Sequence, residues 1–212
     1  MLFNQLFKYR KFSLILACSA FLLSCDRLVT PNFNTDIQEV KTGQYVLDKD
    51  HAALLFKINH LGFSTFIGRF KDFDASLDFD PENVGNSSLE VIVNMSSLDV
   101  NLPEFEKELL GPDWFDAEKF PQAVFRTTSF LGSNEDTYMF QGDLTMHGTT
   151  APITLNVVFH GGGRNFLTRK YTLGFSGSTT FQRSVFGVNR FTNFGVADEV
   201  ELEIHVEFQN AG

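Results

Sequence analysis

Five histidines, two cysteines and the acidic side chains are the groups in this 212-residue sequence that could hold a metal or move a proton. None of His51, His60, His147, His160 and His205 stands four residues from another, so the helical spacing that offers two imidazoles to one zinc ion does not occur. Glu203, His205 and Glu207 alternate on one strand face and could chelate a metal, yet the same period makes an ordinary solvated face. Gly174-Phe175-Ser176-Gly177 is not a nucleophile elbow, since Ser176 sits in a β pattern rather than at a strand-to-helix turn. Gly161-Gly162-Gly163 lacks the spacing and following helix of a phosphate loop and reads as a hairpin. No catalytic residue, metal or cofactor is assigned, and the chain is expected not to be an enzyme.

The cysteines point elsewhere. Lys8-Tyr9-Arg10-Lys11 precedes the apolar run Phe12–Leu23, which fits a secretory leader and falls short of the roughly 18 residues a membrane span needs. The run ends in Leu22-Leu23-Ser24-Cys25, similar to the bacterial lipoprotein signal, in which cleavage leaves a lipid-modified Cys25 as the new N-terminus. A plain secretory leader is the alternative. Cys18 lies within the leader, so an exported chain would have no disulfide to form. Residues 26–42 lack periodicity and read as a flexible tether reaching about 20–25 Å. The expected layout is a lipoprotein signal peptide over 1–24, lipidated Cys25 and tether over 25–42, and one folded domain over 43–210. Such a protein would sit in the periplasm or cell envelope, held to a membrane by its N-terminal lipid.

Charge narrows the partners. Lys8, Arg10 and Lys11 lie in the leader with no acid beside them, leaving fourteen cations against 26 acids, a net charge of −12. Nucleic acid needs a cationic footprint and is excluded as a partner; by the same sign, an anionic membrane surface should repel this body.

The elements that must position any site are strands. Val200 to Phe208 alternates without a break, five apolar side chains on one face and three acids with His205 on the other. Looser versions run through residues 54–58, 89–95, 138–146, 153–159 and 171–181. With Val124–Leu131 and the long Phe66–Phe79 segment, about eight strands result. The strands make an all-β barrel or sandwich; within Phe66–Phe79 the apolar set changes from even to odd numbers, which predicts a β-bulge near Asp72 and a curved strand that favours the closed barrel over the sandwich. Pro103 to Pro112 reads as one short helix, with Pro in its first turn, Phe105 and Leu109 four apart, and a Gly-Pro stop. The helix should lie across the barrel, and Trp114-Phe115 should pack at an end or on the wall. Residues 182–198, carrying Arg183, Phe186, Arg190, Phe191 and Phe194, form a long connection read as a flap over one mouth.

Phe105 to Phe125, with the run Leu110-Gly111-Pro112-Asp113-Trp114-Phe115-Asp116-Ala117 at its centre, resembles a signature of the YceI-like, polyisoprenoid-binding proteins. Asp48-Lys49-Asp50-His51, His60-Leu61-Gly62-Phe63, Gly68-Arg69-Phe70 with Phe79-Asp80-Pro81, Gly142 to Thr150, and Gln182-Arg183-Ser184-Val185-Phe186-Gly187 follow in that family's order. The resemblance covers about Tyr45 to Phe208. It departs at Ala52, where Ser is usual, and at Ala151, where a basic residue is usual. The second departure weakens the case for a phosphorylated lipid head.

What the resemblance implies is a lipocalin-like barrel of eight antiparallel strands around an apolar pocket for an isoprenoid chain, such as a quinone or polyprenyl lipid. By pattern alone such a barrel is filled by its own side chains or holds one slender ligand. If it holds one, Phe56, Ile58, Phe79, Val91, Val93, Phe125, Phe140, Leu144, Leu155, Val157, Phe175 and Phe181 are expected to line it. His60, Arg183, Phe186 and Arg190 are the candidates for a portal or lipid head, with Arg183 and Arg190 otherwise paired to surface acids. Two rival readings stand beside the lipid carrier, an enzyme-like protein acting on a lipid head and an interaction module for a membrane redox protein. A homodimer stays open.

Overall fold

In the computed structural model, which describes residues 33–212, strands account for most of the chain. They are β1 (Phe33–Asn34), β2 (Gly43–His60), β3 (Ser64–Phe70), β4 (Phe73–Phe79), β5 (Ser88–Asn94), β6 (Leu98–Asp99), β7 (Gln122–Asn134), β8 (Thr137–Met146), β9 (Thr149–Arg164), β10 (Tyr171–Gln182) and β11 (Glu199–Asn210). Among the described residues one α-helix, α1 (Pro103–Leu109), begins at its proline as expected. The leader and Cys25 lie outside the described residues.

Neighbouring strands pair antiparallel in the order β2, β4, β5, β7, β8, β9, β10, β11, and β11 closes on β2 with Leu202 opposite Phe56 and Phe208 opposite Leu47. The result is the closed eight-stranded barrel of lipocalin type that the family resemblance implied, where alternation alone left a barrel or a sandwich open. In β11 the period-two pattern does what a half-buried strand must. Val200 and Phe208 are buried, Leu202, Ile204 and Val206 face inward between them, and Glu201 and Glu203 meet Lys57 outside.

The phase change in Phe66–Phe79 is met by a break rather than a bulge within one strand. Lys71 and Asp72 fall out of the ladder and divide the segment into β3 and β4. The freed backbone is satisfied from across the chain, with Lys71 N donating to Ser97 O at 3.1 Å and Asn94 N donating to Asp72 O at 3.0 Å. β2 pairs with β4 over Gly43–Val46 and with β3 over Leu54–His60, so one eighteen-residue strand turns the barrel corner.

The expected tether needs correcting over its last residues. Phe33–Asn34 pairs with Gly163 and Gly162 of β9, Ile37–Glu39 makes a 3₁₀ turn, and Val40 is buried. Residues 33–42 therefore form a strap across one end of the barrel. The sequence hid this because the strap has too few apolar residues to show a period. At the opposite end lie α1, Trp114 and the 182–198 connection. We call the two the strap end and the helix end.

Candidate functional site

The interior divides by end. Toward the helix end it is solid. Phe56 lies over Gly68, where a Cβ would come within 2.3 Å of its ring, and packs against Phe66 and Phe70. Phe105 stands edge-on to both Phe66 and Trp114, and Phe181 meets fully buried Phe186 at 5.4 Å. From mid-barrel to the strap end a cavity of about 160 Å³ remains.

Nine of the twelve expected lining residues surround that cavity: Phe79, Val91, Val93, Phe125, Phe140, Leu144, Leu155, Val157 and Phe175. The other three do not. Phe56 and Phe181, with Ile58 packed against their cluster, belong to the solid half, because they lie at strand ends nearest α1. Alternation identifies a face but not a depth along it. The cavity is completed by residues of the same alternating sets, including Leu54, Phe73, Leu77, Leu89, Tyr138, Ile153 and Phe208, and by Ile37 from the strap, which no sequence signal marked.

Among the described residues, no side chain lining the cavity is charged. The lining includes Ser87, Ser88, Thr127, Tyr138 and Ser176; Thr127 Oγ1 is already used, accepting from Leu89 N at 2.9 Å, and Ser176 Oγ pairs with His160 Nε2 at 2.9 Å. One hydroxyl lies deeper. Thr179 is buried and its Oγ1 has no hydrogen-bond partner among the described residues.

The expected portal residues are all at the wrong end. Arg183 is 3% exposed, and its guanidinium donates to three backbone carbonyls, Ala197 at 3.0 Å, Val188 at 2.9 Å and Val196 at 3.3 Å. Burial pushes its pKa down, opposed by the nearby Asp198 carboxylate. It fastens the 182–198 connection from a buried position that does not line the cavity. Phe186 is buried beneath it. Arg190 is paired with Asp113 and lies over the Phe191 ring at 5.2 Å. His60 is exposed at the end of β2, where it bridges to Val196. The 182–198 segment does cover a barrel end, as expected, but as a plug on the filled half.

The polar groups on the outer face make two further clusters. Glu203 accepts from Lys57 and from His205 Nε2 at 2.8 Å, which holds its carboxyl at about 2, the lysine contributing most. Where β2 loops out between Leu47 and Ala52 opposite the β11 residues 206–208, Asp48, His51 and Glu207 bring potential metal-ligating atoms within 4.8 Å. Asp48 is occupied there by His51 Nδ1 at 3.0 Å and by Gln209. The set differs from the Glu203, His205, Glu207 face considered from sequence, since register rather than spacing joins it.

Comparison with known proteins agrees with this architecture. A YceI-like domain model matches residues 45–208. A UPF0312 protein of Vibrio cholerae is 38% identical over 165 residues, 77% of this chain and 85% of that protein. The crystal structure of Burkholderia cenocepacia BcnA superposes with a TM-score of 0.68 at 27% identity, covering 76% of this chain and 98% of that one. A polyisoprenoid binding domain from Saccharophagus degradans, implicated in plant cell wall breakdown, shares the fold with a TM-score of 0.57 at 10% identity, over 80% and 99% of the two chains.

Proposed function

The chain belongs to the YceI-like family, and from that premise we propose that it binds the chain of an uncharged isoprenoid lipid, a quinone or polyprenyl species, in the cavity at the strap end. The observation that carries this reading is a cavity walled by uncharged residues within a barrel whose other half is packed solid. Burying a diphosphate against that wall would strand its charge without a partner, so the part of the ligand inside is hydrocarbon or a neutral head. The likeness to the Saccharophagus degradans polyisoprenoid binding domain supports the ligand class through shared fold.

Size sets what fits. A cavity of about 160 Å³ is close to engineered apolar cavities of ~150 Å³ that take benzene. It accepts about one to two isoprene units without rearrangement, and the rest of a longer chain leaves past Ile37 and Tyr138. At ~0.8 kcal/mol per buried methylene, five to ten carbons contribute roughly 4–8 kcal/mol before ordering costs, in the millimolar to micromolar range. Binding rather than catalysis is the activity in this reading, and Cys25 is the anchor that keeps the protein in the cell envelope beside its ligand. Native mass spectrometry of the protein purified from its own host tests the ligand. A retained neutral isoprenoid of defined mass is expected; an empty protein, unmoved in melting temperature by added quinone, overturns the proposal.

A further inference from the structure

The surface charge is unevenly spread. Across the 54 residues from Leu144 to Ala197 there is no Asp or Glu, in a chain that carries 26 of them. Five cations fall in that stretch, and three of them, Arg164, Arg169 and Lys170, stand on the β9–β10 hairpin at the strap end. None of the three makes an ion pair among the described residues, whereas Lys49, Lys57, Arg69, Lys71, Lys107, Arg126 and Arg190 each have an acid. Between these cations the hairpin exposes Phe166 and Leu167, the latter 75% accessible. Phe33 lies beside them, its ring over Gly161 and its face exposed, and Lys41 sits over the Tyr171 ring at 5.1 Å. The acids of this end are Asp36 and Glu39 on the strap, where Glu39 is held by Asn34 Nδ2 at 2.7 Å, and Asp80, Glu82, Glu135 and Asp136 on other turns; none is on the hairpin.

We propose that the β9–β10 hairpin is a membrane-docking finger, with Phe166 and Leu167 entering the interface of a bilayer and Arg164, Arg169 and Lys170 meeting its anionic headgroups. Exposed apolar residues flanked by unpaired cations are what such a surface recognises. The net charge of −12 does not forbid it, because charges farther than a Debye length, about 8 Å in physiological salt, are screened while the finger touches the lipid. The chain supports the same orientation. The 32 residues before Phe33 include the apolar run Phe12–Leu23 and Cys25, and they join the fold at the strap end beside the finger. Docking so turns the cavity mouth toward the bilayer, and it holds whether or not the cavity takes an isoprenoid.

The test reconstitutes the full chain in vesicles with brominated acyl chains, either phosphatidylcholine alone or with 30% phosphatidylglycerol. Leu167→Trp adds a reporter at an exposed site, and buried Trp114 at the helix end supplies the background. Quenching of the added indole is expected in the anionic vesicles and not in neutral ones, while a Phe194→Trp reporter at the helix end stays bright. At roughly 1 kcal/mol per cation near an anionic surface, neutralising all three as Arg164→Gln, Arg169→Gln and Lys170→Gln lowers the docked-to-free ratio on the order of 100-fold. Equal quenching at residues 167 and 194, or quenching at 167 that ignores lipid charge and the three substitutions, overturns the proposal. Neither readout involves the ligand, so failure here is separable from failure of the isoprenoid reading.

Discussion

Filling the cavity from its wall separates a real hollow from a packed core by the sign of two effects. Ala75 points inward from β4, is buried and borders the cavity. Ala75→Leu adds three carbons to a space of about 160 Å³. If that space is hollow, the new side chain makes contacts that nothing made before, and stability holds or rises by about 0.5–2 kcal/mol. At ~2–4 °C per kcal/mol for a chain of this size, the melting temperature rises by up to several degrees. The same three carbons are taken from the ligand, and at ~0.8 kcal/mol each an isoprenoid loses about 2.4 kcal/mol, close to 60-fold in affinity. Thermal unfolding with and without a soluble short-chain quinone, alongside calorimetric titration, reads both. A lower melting temperature, the mark of overpacking at about 1–3 kcal/mol, together with unchanged quinone affinity would refute the reasoning.

Arg183→Met removes the donor to three backbone carbonyls, one buried and two part-buried, and should cost about 3 kcal/mol in urea unfolding while leaving quinone affinity unchanged, because the residue lies outside the cavity. Thr179→Val replaces an unpartnered buried hydroxyl by a methyl of the same shape and is expected to raise stability by about 1 kcal/mol; a loss in the same unfolding assay would mean the hydroxyl has a partner. Because the Glu203 carboxyl is held at about 2, its contribution is present above the usual carboxylate range and fades as pH falls from ~4.5 toward 2. Glu203→Gln should therefore flatten the stability–pH curve in that window only. His51 is the opposite case, its pKa raised first by its hydrogen bond to Asp48, so its contribution is full below ~6.5 and fades as pH climbs through the raised value. His51→Gln should lower stability below ~6.5, where that contribution is full, and abolish the further loss as pH climbs through the raised value, as melting temperatures across that range would show.

Much of the barrel was legible because its signals are local. Uninterrupted alternation in Val200–Phe208 allows one face to be buried and no other, so the strand and its inward set follow from side-chain chemistry alone. Pro103 and the Gly111-Pro112 stop bounded the helix for similarly local reasons. The shift of phase near Asp72 was visible, but whether it became a bulge or a break depended on carbonyls of Ser97 and Asp72 finding donors across the chain.

Position along the barrel axis was not legible. Phe56 and Phe175 carry the same pattern, yet one lies under a plug of Phe66, Phe70 and Gly68 and the other on the cavity wall. Arg183 and Arg190 look alike in sequence, and only the fold spends one on carbonyls and the other on Asp113. The local sequence determined which side chains turn inward, since strand period and hydrophobicity act over a few residues. Only the tertiary structure decided which end is full, which is hollow and where the chain enters, because those depend on volumes and registers set by residues more than a hundred positions apart, as Leu202 meets Phe56.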